Sequence, residues 1–495
     1  MTETHQESLS HRVVKSVFWV FSLRIVQQLL GLTRLVILAR ILAPNDFGLM
    51  GIALLTMATL ETFSQTGFKA ALIQKKKDIK SYLDAAWTVL ILRGFILFAI
   101  LYSIAPYVVL FFNTPEAKPI IQVIGLSVLL QAFTNIGVIY FQKELEFNKE
   151  FIYQFAGTLA DFIVAVSAVL ILQNVWALVF GMLAGNAVRC FVSYLIHPYR
   201  PHLSSDLGKA KELFGFGKWV LGSSILIFLL GQGDDIFVGK LLGATALGFY
   251  QLAYRISNMP ATEITHVISQ VTFPAYSKLQ NDIPKLREAY LNILQVTAFL
   301  SFPIAGLIFV LSPDFTIIFL GEKWMPMVPA MQVLCIFGAL RSLNATTGSI
   351  FQGVGKPAVL AKVSLLQLIF LALIIYPLSS MGKLIGVSLA VTLANFLCFI
   401  FCFREVIRII KCGRRDMIYR LAPQILITLG ITFLIYLFKY LTINRLPLIA
   451  VFMCSIFIVL VNYLIYGNIL GFSFVAFINT GFPFKKNYLK RKKII

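Results

Sequence analysis

Long apolar runs recur along this sequence from the first fifty residues to the last fifty, for example at 91–110, 363–378 and 425–438. A helix needs roughly 20 apolar residues to cross about 30 Å of hydrocarbon. Runs of this kind recur to the end of the chain, so an all-α membrane protein is expected. Composition agrees: 58% of the 495 residues are apolar and 13% charged, against about 25% charged in soluble domains.

Set against charged punctuation, the runs predict fourteen spans: 17–42, 47–73, 85–112, 120–141, 151–172, 175–196, 214–242, 247–276, 289–320, 328–351, 359–378, 384–403, 418–438 and 448–470. The net charge of +21 is then a property of loops. Counting Lys and Arg between spans puts 29 on one side, including Lys75–Lys77, Arg414, Arg415 and the tail cluster Lys490–Lys493, and 5 on the other (Lys118, Lys323, Lys383, Lys439, Arg445). Positive loops stay cytoplasmic, so both termini are expected inside the cell. The basic charge reads as a bias toward anionic lipid headgroups, not nucleic acid. The tail 482–495 mixes Phe482, Phe484 and Tyr488 with six basic residues and is expected on the inner leaflet. The polar start, 1–15, has no cleavable-signal pattern, so the first span is expected to do the targeting.

No loop is long enough for a soluble domain, and no GxxxxGK[ST] motor motif is present. The six cysteines, Cys190, Cys335, Cys398, Cys402, Cys412 and Cys454, show no CxxC spacing, and His197 with His202 makes a weak metal signal. No cofactor is expected.

The chain also repeats itself. A shift of 200 lays 35–51 on 235–251, with Gly31 on Gly231, Arg40 on Lys240, Gly48 on Gly248 and Ala53 on Ala253. A shift of 210 lays Pro119 on Pro329, Gln122 on Gln332 and Phe141-Gln142 on Phe351-Gln352, and a shift of 209 lays Asn186 on Asn395. Two six-helix lobes are expected, 1–206 and 207–412, followed by two further helices (413–478) and a basic tail (479–495). Six is even, so both lobes enter the membrane in the same direction. The repeats are then related by a pseudo-two-fold along the membrane normal, with a substrate site between them.

Ionisable groups at membrane depth cost about 2.5–3.5 kcal/mol each on insertion scales, which makes them functional candidates. In the first span Arg24, Gln27, Gln28, Gly31 and Arg34 fall at spacings of three and four, one polar stripe. The seventh span carries Ser223, Ser224, Gly231, Asp234 and Asp235; the eighth Arg255, Glu263 and His266; the sixth Arg189; the tenth Arg341. Arg24, Gln27, Gln28, Gly31, Arg34, Arg189, Arg255 and Arg341 are the candidate cavity residues. Asp161, Asp234, Asp235 and Glu263 are candidates for ion coupling or gating. Arg40, Lys240 and Lys69 sit near span ends, where long side chains snorkel, and Arg93 reads as a structural or gating partner.

The segment Leu38-Ala39-Arg40-Ile41-Leu42-Ala43-Pro44-Asn45-Asp46-Phe47-Gly48-Leu49 resembles the first-to-second-helix signature of the polysaccharide transporter family, within the multidrug/oligosaccharidyl-lipid/polysaccharide exporter superfamily. The stretch from Gln142 to Lys149 is similar to that family's loop after the fourth helix. Phe319-Leu320-Gly321-Glu322-Lys323-Trp324, with Pro326 and Pro329, resembles its loop before the tenth. The resemblance runs from about Lys15 to Cys412 and is nearest the colanic-acid-exporter-like branch. It implies a flippase that moves an undecaprenyl-pyrophosphate-linked oligosaccharide to the outer leaflet for exopolysaccharide, capsule or lipopolysaccharide synthesis. The implied partners are the lipid-linked cargo, membrane lipids and a polysaccharide polymerase. Competing readings are a drug or small-molecule antiporter of the same superfamily and a membrane enzyme of polysaccharide assembly, against which the short loops argue.

Overall fold

The computed structural model describes residues 9–68, 71–72, 79–204, 206–442 and 445–469. Lys69, Lys75–Lys77, the side chains of Ser223 and His266, and the basic tail therefore lie outside the described residues. Among those described there is no strand. The helices are α1 (Leu9–Ile41), α2 (Pro44–Phe63), α3 (Lys80–Phe112), α4 (Ala117–Ala132), the short α5 (Ile139–Lys143), α6 (Phe147–Leu172) and α7 (Trp176–Ile196). They continue as α8 (Leu207–Leu242), α9 (Ala244–Leu279), α10 (Ile283–Phe315), α11 (Val328–Gly353), α12 (Pro357–Ile410), α13 (Arg414–Thr442) and α14 (Leu448–Ile469).

Ten of these helices are long and apolar enough to cross a membrane, or eleven if α4 and the segment that follows it, bent by 68°, form one broken span. The expected fourteen differ from this for identifiable reasons. α8 and α9 fall outside that set: the side chains of α8 are described only from Ser224 on, a stretch that carries Asp234, Asp235 and Lys240, and α9 carries Arg255 and Glu263. The expected eleventh and twelfth spans run together as α12, whose helical geometry breaks at Lys383 (φ 46°, ψ −123°). The fourth span bends where Asn135 caps a turn, its side chain accepting from the Gly137 N–H at 2.9 Å.

The helices form two compact units, 1–251 and 252–495, with the division inside α9. It falls later than the expected lobe boundary because α8 packs on α2 and α3. In the first unit α6 and α7 pack most closely. Gly181 and Gly185 lie one turn apart on α7, and a Cβ at Gly185 would stand 2.9 Å from the Gly157 carbonyl oxygen and from Asp161 Cβ. This is the small-residue packing that lets membrane helices touch without a hydrophobic driving force. The segment after α7 is strapped across the start of α3: Tyr199 Oη donates to Asp84 Oδ1 (2.5 Å), the His202 N–H to the same oxygen (2.8 Å), and the Ser204 N–H to Thr88 Oγ1 (2.9 Å). Burial and then the nearby Lys149 push the His197 imidazole below its ordinary range. A neutral ring fits its contacts, since Nδ1 accepts from the Tyr199 N–H and the ring stacks on Tyr140.

In the second unit Tyr276, Tyr290, Ile350, Phe351, Val406, Ile410 and Met417 form one buried cluster, and Val310, Leu311, Ile431, Ile435, Phe452 and Val459 form another that joins α10, α13 and α14. Several local geometries recur at the sequence shift noted above. The Gln122 amide donates to the Tyr102 carbonyl (3.4 Å), and the Gln332 amide to the Phe309 carbonyl (3.1 Å). The turn after α5 is closed by Glu144 N–H to Tyr140 O and Glu146 N–H to Phe141 O. The turn after α11 is closed by Val354 N–H to Ile350 O and Lys356 N–H to Phe351 O. Leu145 and Gly355 take positive φ in those turns, as do Gln173 and Lys383 in the next pair.

Candidate functional site

The polar stripe of α1 lies on a half-buried side of the helix. Arg24, Gln27, Gln28, Gly31 and Arg34 are all half-buried, while Phe21, Ile25 and Leu29 on the other side of the helix are exposed. An exposed apolar face is what a helix presents to lipid, so the stripe faces protein. Arg34 is the member whose partner is resolved: its Nη2 stands 3.1 Å from Asp161 Oδ1 on α6, with both side chains a little over one-fifth exposed.

Asp161 is shared. Arg189 on α7 also acts electrostatically on it, and Arg189 Nη1 donates to Asn186 Oδ1 at 3.1 Å. The aliphatic stem of Arg189 lies over Gly157, where a Cβ would overlap its Cγ. Arg34 is thus within ion-pair distance of the carboxylate and Arg189 acts on it from farther off, two positive charges against one negative among three helices. Each arginine keeps a buried Nε–H without a hydrogen-bond partner. A buried polar group normally finds a partner, so two arginines with spare donors form a cluster short of acceptors. An anionic group with several oxygens would supply them.

Arg93, read from the sequence as a structural or gating partner, makes structural bonds. It hydrogen-bonds the end of α2, Nε to the Ser64 carbonyl (2.9 Å) and hydroxyl (3.1 Å), and Nη2 to the Glu61 carbonyl (3.0 Å). These are the orphan carbonyls every helix end leaves, so its role is to cap. Lys240 likewise donates to the Phe111 carbonyl at 2.6 Å, at the end of α3. The acids of α8 are held by the start of α9: Tyr250 Oη donates to Asp234 Oδ2 (2.6 Å) and Gln251 Nε2 to Asp235 Oδ2 (3.2 Å). A Cβ at Gly231 would meet nothing within 4 Å.

In the second unit Arg341 on α11 donates to Tyr254 Oη on α9 at 3.3 Å. One turn along, Asn344 Nδ2 donates to Asn395 Oδ1 at 2.7 Å. Arg255 is exposed and Glu263 half-buried on α9. Sequence reasoning missed two polar links between α10 and α13. Lys439 Nζ lies 2.5 Å from Asp314 Oδ2, and Arg420 Nη1 donates to Asn292 Oδ1 (3.1 Å) and Gln295 Oε1 (3.0 Å). Both basic residues lie at helix ends and count as loop charge in the sequence.

Residues 37–329 match the sequence model of a family described as "Polysaccharide biosynthesis protein". The chain is 27% identical over 392 residues to the lipopolysaccharide biosynthesis protein WzxC of Escherichia coli (strain K12), covering 79% of this chain and 80% of that one. It is 29% identical over 293 residues to the teichuronic acid biosynthesis protein TuaB of Bacillus subtilis (strain 168), 59% and 60% of the two chains. Among solved structures, its fold is similar to that of the lipid II flippase MurJ in an inward closed conformation. That likeness has a TM-score of 0.73 over 92% of this chain and 98% of the other, at 15% identity.

Proposed function

The chain belongs to the polysaccharide biosynthesis protein family, and on that basis we propose that it carries an undecaprenyl-pyrophosphate-linked oligosaccharide repeat unit from the cytoplasmic to the periplasmic leaflet by alternating access. The protein is a multi-pass transporter of the bacterial inner membrane, not an enzyme, and serves polysaccharide biosynthesis by moving a lipid-linked oligosaccharide.

The observation that carries it is the Arg34–Asp161–Arg189 cluster. A pyrophosphate is the anionic part of such a cargo whatever its sugars. Guanidinium groups hold phosphate oxygens through paired, charge-assisted hydrogen bonds. The cluster offers two guanidiniums, spare N–H donors and an excess of positive charge among membrane helices, with the amides of Gln27 and Gln28 on the same stripe. Asp161 acts as the resident counter-ion that keeps Arg34 tolerable in an apolar surround while no cargo is bound.

Two lobes, 1–206 and 207–412, move against each other in this reading. The nearly constant sequence shift, between 200 and 210, and the turn hydrogen bonds that recur at 210 support two copies of one unit. Fourteen spans with both termini cytoplasmic follow from the loop charges. Cysteines placed at Asn113, Lys323 and Lys383 are expected to react with an impermeant thiol reagent from outside, and ones at Lys76 and Arg414 are not; the opposite labelling pattern would reverse the topology.

The test of cargo is a deletion strain analysed for its lipid-linked intermediates. A complete repeat unit accumulates on the cytoplasmic leaflet if the reading is right. Unchanged intermediates together with altered drug efflux would instead point to a small-molecule antiporter.

A further inference from the structure

The starts of α2 and α9 touch in a way that the sequence repeat explains. A Cβ on Gly48 would overlap the carbonyl oxygen of Ala244, and a Cβ on Gly248 would overlap the carbonyl oxygen of Pro44. A shift of 200 turns Pro44 into Ala244 and Gly48 into Gly248, so these two contacts are one contact made twice, in both directions. Two further contacts join a residue to its own counterpart at the same shift. Thr245 Oγ1 donates to Asn45 Oδ1 at 3.3 Å, and the Gln251 side chain fills the space where a Cβ on Gly51 would be. All of these residues belong to the first unit.

When residue i touches j and the equivalent of j touches the equivalent of i, the interface is isologous and a two-fold axis runs through it. Here the axis is internal to one chain and passes between Asn45 and Thr245. The contact itself is unusual for packed helices. Glycines bring backbone onto backbone, so no side chains interlock between Gly48 and Gly248. Separating the helices there requires no rotamer change and no extraction of a knob from a hole. The two elements also meet at their N-terminal turns, where each helix carries about half a positive charge. In α2 that charge is met by Asp46, which accepts from the Ala43 N–H at 2.9 Å. α9 has no acid in its first turn, so the closed contact retains some repulsion.

We propose that this paired glycine contact is the outer gate: Gly48 and Gly248 close the periplasmic end of the pathway when cargo is loaded from inside, and they part to release it. The gate rests on the alternating-access reading above, and it names the residues where the outer end opens. Gln251 extends the device inward, because its side chain both fills the Gly51 notch and donates to Asp235. Both partners of that bond lie within 207–412, so it travels with α9 when α2 parts from it, and what opening exposes is the Gly51 notch. The two glycines are positioning residues, since what they set is how near the two backbones can come.

The test is a reversible lock. Asn45→Cys and Thr245→Cys are combined in the full-length protein, with each single variant as a control for the native cysteines. Oxidation with copper phenanthroline is expected to join the pair, as read by mass spectrometry of the linked peptides, and to lower export at least tenfold. Dithiothreitol restores export, and neither single variant responds. A second measurement reads the gate without cargo: Gly48→Ala and Gly248→Ala are each expected to raise labelling of Gln251→Cys by an impermeant thiol reagent several-fold from outside. A linked double-cysteine protein that exports as fast as the reduced one overturns the gate. So does unchanged labelling in both alanine variants at normal abundance. If the lock and the labelling behave as stated while a deletion strain shows no defect in lipid-linked intermediates, the gate stands and the assigned cargo fails.

Discussion

Arg34→Ala is expected to lower export of surface polysaccharide about 10- to 100-fold at matched protein level, the loss of one charge-assisted hydrogen bond at about 1.5–3 kcal/mol. Asp161 lets the experiment separate two roles for this arginine. If the guanidinium serves only to neutralise Asp161, then Arg34→Ala leaves a half-buried carboxylate without its partner, abundance falls, and Arg34→Ala with Asp161→Ala recovers both abundance and export. If it holds the cargo's pyrophosphate, the double variant recovers abundance and still fails to export. Arg34→Lys discriminates further, because an ammonium keeps the charge but cannot reproduce the planar pair of donors; export returns only in part. Arg189→Ala is expected to add to the loss rather than duplicate it, since its own donors are separate. Normal export by the double alanine variant would reduce the pair to a structural one and move the search for the anion site to Arg24, or to Arg255 and Arg341 in the second unit.

The class of protein was legible because the constraint that sets it is local: an apolar run is apolar whatever it packs against. The sequence shift was legible too, and several hydrogen bonds and turns recur at it. The Gln122 and Gln332 amides make matching bonds, and the turns at Leu145 and Gly355 share both hydrogen bonds and a positive φ. The stripe on α1 was readable from helical spacing alone, and the exposed Phe21, Ile25 and Leu29 opposite it agree.

What stayed hidden depends on which helices are neighbours. A spacing of three and four puts Arg34 on a face, but nothing local says that Asp161 is what that face meets; Asp234 and Asp235 were equally eligible partners and are held by Gln251 and Tyr250 instead. Arg93 reads as a structural or gating partner, but that its partner is the end of α2 was not legible, because capping carbonyls leaves little mark on the partner's sequence. The repeat put Gly48 and Gly248 in equivalent places without saying that they approach each other. Equivalence under a shift is a property of the sequence, whereas contact across the axis is a property of the fold.

Lys439 shows the same limit with the largest expected consequence for stability. It reads as loop charge near the end of a span, yet its ammonium sits 2.5 Å from Asp314 with side-chain exposures of 15% and 7%. It also donates to the Val310 carbonyl at 3.3 Å. At the other end of α13, Arg420 reaches Asn292 and Gln295 on α10, so these two helices are fastened at both ends around the apolar cluster of Val310, Leu311, Ile431 and Ile435. Removing one member of a buried pair costs about 3–5 kcal/mol, because the other charge is left without compensation. Against a total stability of about 5–15 kcal/mol, that is enough to deplete the protein from the membrane. Lys439→Ala and Asp314→Ala are therefore each expected to lower abundance sharply and to bring down the thermal midpoint in detergent. Lys439→Met with Asp314→Leu, which replaces the pair by apolar groups of similar size, is expected to recover most of the stability. Export by that double variant is the informative readout. If it matches the unmodified protein, the pair only fastens α13 to the second unit. A stable double variant that does not export would place the pair in the transport cycle, and single variants as stable as the parent would show that neither charge is buried in the folded protein as described.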